Sequence, residues 1–179
     1  MSPQRRRSLA YGAAAVAAAG AGIWAGVRLL SGGAVPEPAH VSPLDATVYP
    51  DLAGKPRRIA EWRGKVVAVN FWATWCAPCL EEIPLFMEAR RKHSSKGFEI
   101  VGIAVDNPAK VGEFSRKLDI SYPILVADGS GLALIRKLGN TSGGLPYTAL
   151  LDREGRPVKS KLGAFTRPEL FDLLAELLP

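Results

Sequence analysis

Two stretches of the chain, VVAVNFW from Val66 to Trp72 and FEIVGIAV from Phe98 to Val105, are almost unbroken runs of apolar residues. Short runs rich in β-branched residues, with no alternation of polar positions, predict strands buried on both faces of a sheet. Between them, residues 77–93 change period. Leu80, Ile83 and Met87 recur at helical spacing, and Arg90 and Arg91 fall near the end, where the helix dipole favours cations. Pro84 lies inside that helix and is expected to kink it.

The same reading continues to the C-terminus. Residues 108–119 predict a second helix, YPILVAD (122–128) a third strand, and residues 131–139 another helix. LPYTALLD (145–152), the turn REGR and PVKSKLG (157–163) predict a hairpin, followed by a closing helix over 167–178. Ahead of the first buried run, residues 47–64 predict a short strand pair turning at Ala53-Gly54-Lys55. Strands alternating with helices and ending in an antiparallel hairpin make an α/β domain over residues 44–179.

The N-terminus is of another kind. Arg5, Arg6 and Arg7 precede nineteen uncharged residues, Leu9 to Val27. A helix of that stretch reaches about 28 Å, close to the hydrocarbon thickness of a bilayer. With arginines on its N-terminal side, residues 1–30 are expected to be a signal anchor crossing the membrane, its N-terminus cytoplasmic. The alternative is a cleaved signal peptide, because small residues suited to a signal peptidase abound. Either way the domain is expected outside the cytoplasm, periplasmic if the source is bacterial. The Gly- and Pro-containing residues 31–43 read as a flexible linker.

Charge adds little beyond topology. The net charge is +6, but four of the 23 basic residues lie in the leader, leaving 19 against 17 acidic ones. The domain thus carries about +2 with no long like-charge run, which excludes a nucleic-acid partner.

Only two cysteines occur, Cys76 and Cys79, two residues apart in FWATWCAPCLEEIP. A zinc site needs four ligands, and His40 and His93, read as ordinary surface residues, lack the spacing of a second ligand pair, so no metal is expected. A bridge across two intervening residues closes too small a loop to stabilise the domain much. A redox couple has a mechanism. Cys76 follows a buried strand and opens a helix, where unpaired N–H groups stabilise a thiolate and make it the attacking sulfur. Cys79, one turn inward, is placed to resolve the mixed disulfide. Pro78 suits the first helical turn.

VNFWATWCAPCLEEIP resembles the active-site segment of the thioredoxin superfamily, and more closely its TlpA/ResA-type membrane-anchored thiol:disulfide oxidoreductases. Trp75 stands before Cys76, Pro84 lies five residues after Cys79, and Gly144-Leu145-Pro146-Tyr147-Thr148 matches the loop in which that family keeps a cis-proline. Residues 98–139 resemble the βα insertion that separates this branch from plain thioredoxin. The resemblance implies a central mixed sheet flanked by helices, with an N-terminal strand pair. It implies a docking surface of Trp75, Ala77, Pro78, Leu145 and Pro146. Plain thioredoxin carries a buried acid where this chain has Asn70, whereas Glu82 matches the branch's acidic residue for proton transfer.

The resemblance implies an exported reductant of disulfides in other proteins, in cytochrome c maturation or oxidase copper-site assembly. Its electrons are expected from a membrane thiol-reducing donor of the DsbD/CcdA kind. No flavin, haem or nucleotide motif occurs, so no cofactor is expected. Haem-maturation relatives commonly have Glu after the loop proline, and Tyr147 here leans toward the broader TlpA group. The alternatives are a disulfide-forming oxidase and a non-enzymatic copper-handling module.

Overall fold

A computed structural model describes residues 42–44 and 46–178. The expected anchor and the linker up to Val41 lie outside the described residues, and among the described residues no helix is long and apolar enough to cross a membrane.

The domain opens with an antiparallel pair, β1 (Val48–Pro50) and β2 (Pro56–Arg58). Its turn is closed by the Asp51 carboxylate, which accepts the N–H groups of Ala53 and Lys55. Gly54, at φ 80°, supplies the left-handed residue that the turn requires. A 3₁₀ turn over Ile59–Trp62 then leads into β3 (Val66–Trp72), all seven residues of which are buried. After it come α1 (Ala77–His93), β4 (Phe98–Val105), α2 (Pro108–Lys117), β5 (Ile124–Ala127), α3 (Ser130–Lys137), β6 (Tyr147–Leu151), β7 (Pro157–Leu162) and α4 (Arg167–Leu177).

The five-stranded sheet has the order β5-β4-β3-β6-β7. Strands β3, β4 and β5 are parallel, while β6 runs antiparallel to both β3 and β7. The sheet is therefore mixed, with β3 at its centre, and its alternating side chains build two cores. On one face Ala68 and Trp72 pack with Ile83 and Phe86 of α1, Val111 of α2, and Leu170 and Leu174 of α4. On the other, Val67, Val69 and Phe71 pack with Leu134 and Ile135 of α3 and with Leu44, Tyr49, Ile59 and Trp62. The two buried runs are continuous because both faces of their strands are covered.

Local chemistry trims several expected boundaries. α2 stops at Lys117 rather than at residue 119, because Asp119 adopts φ 50° and ends the helical path. β5 starts at Ile124, since Pro123 has no N–H to give to the ladder. Pro84 is an interior residue of α1. His93 is not an ordinary surface residue: both ring nitrogens are buried and its ring meets Phe171 of α4 edge-on, centroids 5.5 Å apart.

α3 can approach the sheet because Gly131 has no side chain. A Cβ there would lie 2.8 Å from Val105 Cγ2 and 2.9 Å from Ala127 Cβ. Gly131→Ala is therefore expected to destabilise the protein by about 1–3 kcal/mol through overpacking. At Gly129, where φ is −53° and a Cβ meets nothing within 4 Å, Ala is expected to change stability by less than about 1 kcal/mol. Denaturant unfolding of the two variants checks the contrast.

Candidate active site

The site forms where β3 ends. Beyond Trp72 the chain turns back, the Cys76 N–H donating to the Ala73 carbonyl at 3.1 Å, and α1 begins at once. Cys76 is the N-cap residue, in extended geometry, and its carbonyl accepts the N–H groups of Cys79 at 3.0 Å and Leu80 at 3.2 Å. Among the described residues no side chain caps this terminus. The helix thus presents its positive end at Cys76, with Pro78 in the first turn where a missing N–H costs nothing.

Cys76 and Cys79 are joined as a disulfide, Cα atoms 5.3 Å apart. Cys76 is 6% exposed and Cys79 0%, so the outer sulfur belongs to the residue expected to attack. Trp75 stands 68% exposed beside it, with Ala77 and Pro78 also at the surface. The loop carrying Trp75 is held from the end of β4. The Asp106 carboxylate accepts the Thr74 N–H at 3.2 Å and the Thr74 hydroxyl. Burial opposes ionisation of Asp106, but the bonds from Thr74 and Asn107 outweigh it and hold its pKa below the usual value.

The register Phe71↔Tyr147 brings residues 145–146 to the sheet end from which the cysteine loop departs. The Leu145–Pro146 peptide is cis. Pro146 is buried and Leu145 half-buried. Asn140 scaffolds this loop, donating to the Gly144 carbonyl at 2.8 Å and accepting from Gly143 N–H at 3.1 Å and from the Ser142 hydroxyl at 2.7 Å. The Pro146 carbonyl accepts Gly163 N–H at 2.8 Å, which ties the loop to the end of β7.

Glu82 lies one turn beyond Cys79 on α1 and is 2% exposed, whereas its neighbour Glu81 is at the surface. Its Oε1 accepts from Asn70 Nδ2 at 2.8 Å and its Oε2 from the Phe165 N–H at 3.0 Å. Burial raises its pKa to about 7, against the lowering pull of the Phe165 and Asn70 donors and the more distant Lys161 charge. An acid titrating near neutrality, three residues beyond the buried cysteine, can take up or return a thiol proton. Asn70 and Glu82 are singled out in the sequence by the family resemblance alone. Asp106 and the Phe165 amide are not, and neither carries a local signal, since each reaches the site only through the fold. Among the described residues no three His, Cys, Asp or Glu side chains gather as a metal site.

Glu82 also makes stability depend on pH. Its folded pKa lies above that of an unfolded carboxyl, so the folded state holds the extra proton between about pH 4.5 and 7. Stability falls as pH rises through that window and levels off above it. Relative to Glu82→Gln, the wild type is expected to lose about 1–3 kcal/mol between pH 5 and pH 8, measured by chemical denaturation at both values.

The Redoxin family model matches residues 35–176. The chain is 33% identical over 134 residues to the thiol-disulfide oxidoreductase ResA of a Bacillus cereus strain, covering 74% of this chain and 75% of that protein. It is 32% identical over 133 residues to ResA of Geobacillus thermodenitrificans, covering 74% of each. Its fold matches the crystal structure of a thiol:disulfide interchange protein, a thioredoxin family protein from Chlorobium tepidum TLS. That match has a TM-score of 0.67 at 28% identity and covers 77% of this chain and 97% of that one. The mixed sheet, the cysteine pair at the head of α1 and these matches place the chain in the Redoxin family of the thioredoxin superfamily, as a thiol-disulfide oxidoreductase of the ResA/TlpA type.

Proposed function

We propose that this oxidoreductase works as a reductant of disulfides in other exported proteins. The observation that carries the reading is the cysteine pair at the uncapped N-terminus of α1, outer sulfur on Cys76, with a near-neutral acid buried behind Cys79. In the reduced enzyme the Cys76 thiolate attacks one sulfur of a substrate disulfide, forming a mixed disulfide and expelling the other sulfur as a thiolate. Cys79 gives its proton to Glu82 and attacks Cys76 Sγ. The second substrate sulfur leaves, and two electrons have passed to the substrate. The Cys76–Cys79 disulfide is then reopened by two electrons from a membrane thiol-reducing donor of the DsbD/CcdA kind.

Trp75, Ala77, Pro78, Leu145 and Pro146 form the docking surface in this reading. It is supported by the exposure of the first three beside Cys76 and by the common sheet end that the last two share with it. Residues 1–30 anchor the domain on the outer side of the bacterial inner membrane, a reading supported by the triple arginine and the uncharged stretch that follows it. The substrates are disulfides formed in CxxCH haem-attachment sites or in copper-delivery proteins of oxidases, and Tyr147 favours the second group.

Two measurements test this. With full-length Cys79→Ala, a disulfide-bearing exported protein is expected to accumulate as a mixed disulfide on Cys76, while Cys76→Ala traps nothing. Trapping through Cys79 instead reverses the assigned roles. Glu82→Gln is expected to slow release of the reduced substrate from the wild-type cysteine pair by about a hundredfold near pH 7, read by stopped-flow fluorescence.

A further inference from the structure

Facing Glu82, one cross-strand row of the sheet is polar or bare. Thr148 on β6, Asn70 on β3 and Gly102 on β4 are direct register partners. Asn70 uses its Nδ2 group twice, donating to Glu82 Oε1 at 2.8 Å and to the Thr148 hydroxyl at 2.9 Å. Among the described residues nothing donates to its buried Oδ1. The Trp72 indole N–H and the Tyr122 hydroxyl are in the same condition, on side chains respectively 0% and 4% exposed. A Cβ on Gly102 would come within 3.0 Å of both Trp72 Nε1 and Tyr122 Cε2, so the two rings close on the β4 position that pairs with Asn70.

Each buried polar atom left unpaired costs about 1–3 kcal/mol. The three needs are complementary: the indole only donates, Oδ1 only accepts, and the hydroxyl does either. Buried waters typically make two to four hydrogen bonds to such otherwise unsatisfied groups. We propose that Asn70 Oδ1, the Trp72 N–H and the Tyr122 hydroxyl bind a single buried water molecule, and that this site positions the Asn70 amide against Glu82. The water accepts from the indole, donates to Asn70 Oδ1 and shares its remaining bond with Tyr122. Donation to Oδ1 polarises the amide and strengthens the Nδ2–H bond to the carboxylate. It also holds the amide with its NH₂ group toward Glu82. Tyr122 and Trp72 are thus positioning residues that favour the ionised Glu82.

The other groups that face this carboxyl are the Phe165 N–H, Lys161 of β7, itself paired with Glu169 at 2.7 Å, and the Tyr122 hydroxyl itself, whose proton affinity is raised by burial and then by the Glu82 charge. Phe165 and Lys161 are unaltered by a change at Tyr122, and Trp72→Phe, which removes no titratable group, separates the water's effect from the direct one of Tyr122. The functional consequence rests on the reading of Glu82 as the proton carrier for Cys79, but the site itself does not.

The test is the carboxyl titration of Glu82 in the full-length chain labelled with ¹³C-glutamate, alongside a crystal structure of the wild type. Tyr122→Phe is expected to raise the proton affinity of Glu82 at least threefold. Tyr49→Phe, a buried tyrosine on the opposite face whose hydroxyl bonds Ser130, leaves it unchanged. Trp72→Phe shifts it in the same direction as Tyr122→Phe and serves if that variant folds poorly. The crystal structure is expected to show an ordered water bonded to at least two of the three atoms. An unchanged Glu82 titration in Tyr122→Phe, or no water bonded to two of those atoms, overturns the proposal. If the titration shifts while Glu82→Gln releases substrate at the wild-type rate, the water site stands and the proton-carrier reading falls.

Discussion

The junction between β3 and α1 governs this molecule. A strand buried on both faces runs into a helix with only Ala73, Thr74, Trp75 and the N-cap Cys76 between them. That abrupt hand-over places a cysteine at the positive end of a helix on the rim of the sheet. The partner cysteine lies one turn inward, in the core. The parallel neighbour β4 contributes Asp106, which holds Thr74, and the antiparallel neighbour β6 contributes the cis-proline loop. Both arrive at the same sheet end because β3 lies between them in the strand order. The chemistry follows from where a strand stops.

The second constraint is a displaced acid. Where plain thioredoxin carries a buried carboxylate on the strand, this chain has Asn70, and the acid comes instead from the helix as Glu82. The swap makes the strand residue a donor and the helix residue an acceptor, so the two bond to one another at 2.8 Å. Neutral donors, Asn70 and the Phe165 amide, satisfy both carboxyl oxygens, and among the described residues no cation pairs with them. Burial therefore wins and the pKa stays near neutrality. Glu99 on β4 shows the opposite balance. Burial works against its charge as well, but Arg90 and Lys65 reach it directly and hold its pKa below the usual value.

Much of this is legible from residues alone, for identifiable reasons. The runs 66–72 and 98–105 are unbroken apolar stretches and 77–93 carries helical spacing, and the structure returns all three with the same limits. The cysteine pair is legible because its spacing, its preceding strand and its following helix agree. What separates Glu82 from Glu81 is not visible locally, since both are acids early in one helix. The distinction is made by a backbone amide 83 residues away and by the facing strand. His93 escapes a local reading for the same reason, its surroundings being set by Phe171 on the closing helix. The cis peptide at Pro146 is foreshadowed only by family resemblance, because nothing in a Leu-Pro pair marks its isomer.

The central claim is that this site donates electrons to its substrates. The equilibrium potential of the Cys76/Cys79 couple in the full-length chain, titrated against glutathione or dithiothreitol and followed by tryptophan fluorescence, tests it most directly. A reductant is expected to show a value at or below about −200 mV, in the range of glutaredoxins and thioredoxin. A value near about −120 mV, that of a strong disulfide donor, would contradict it.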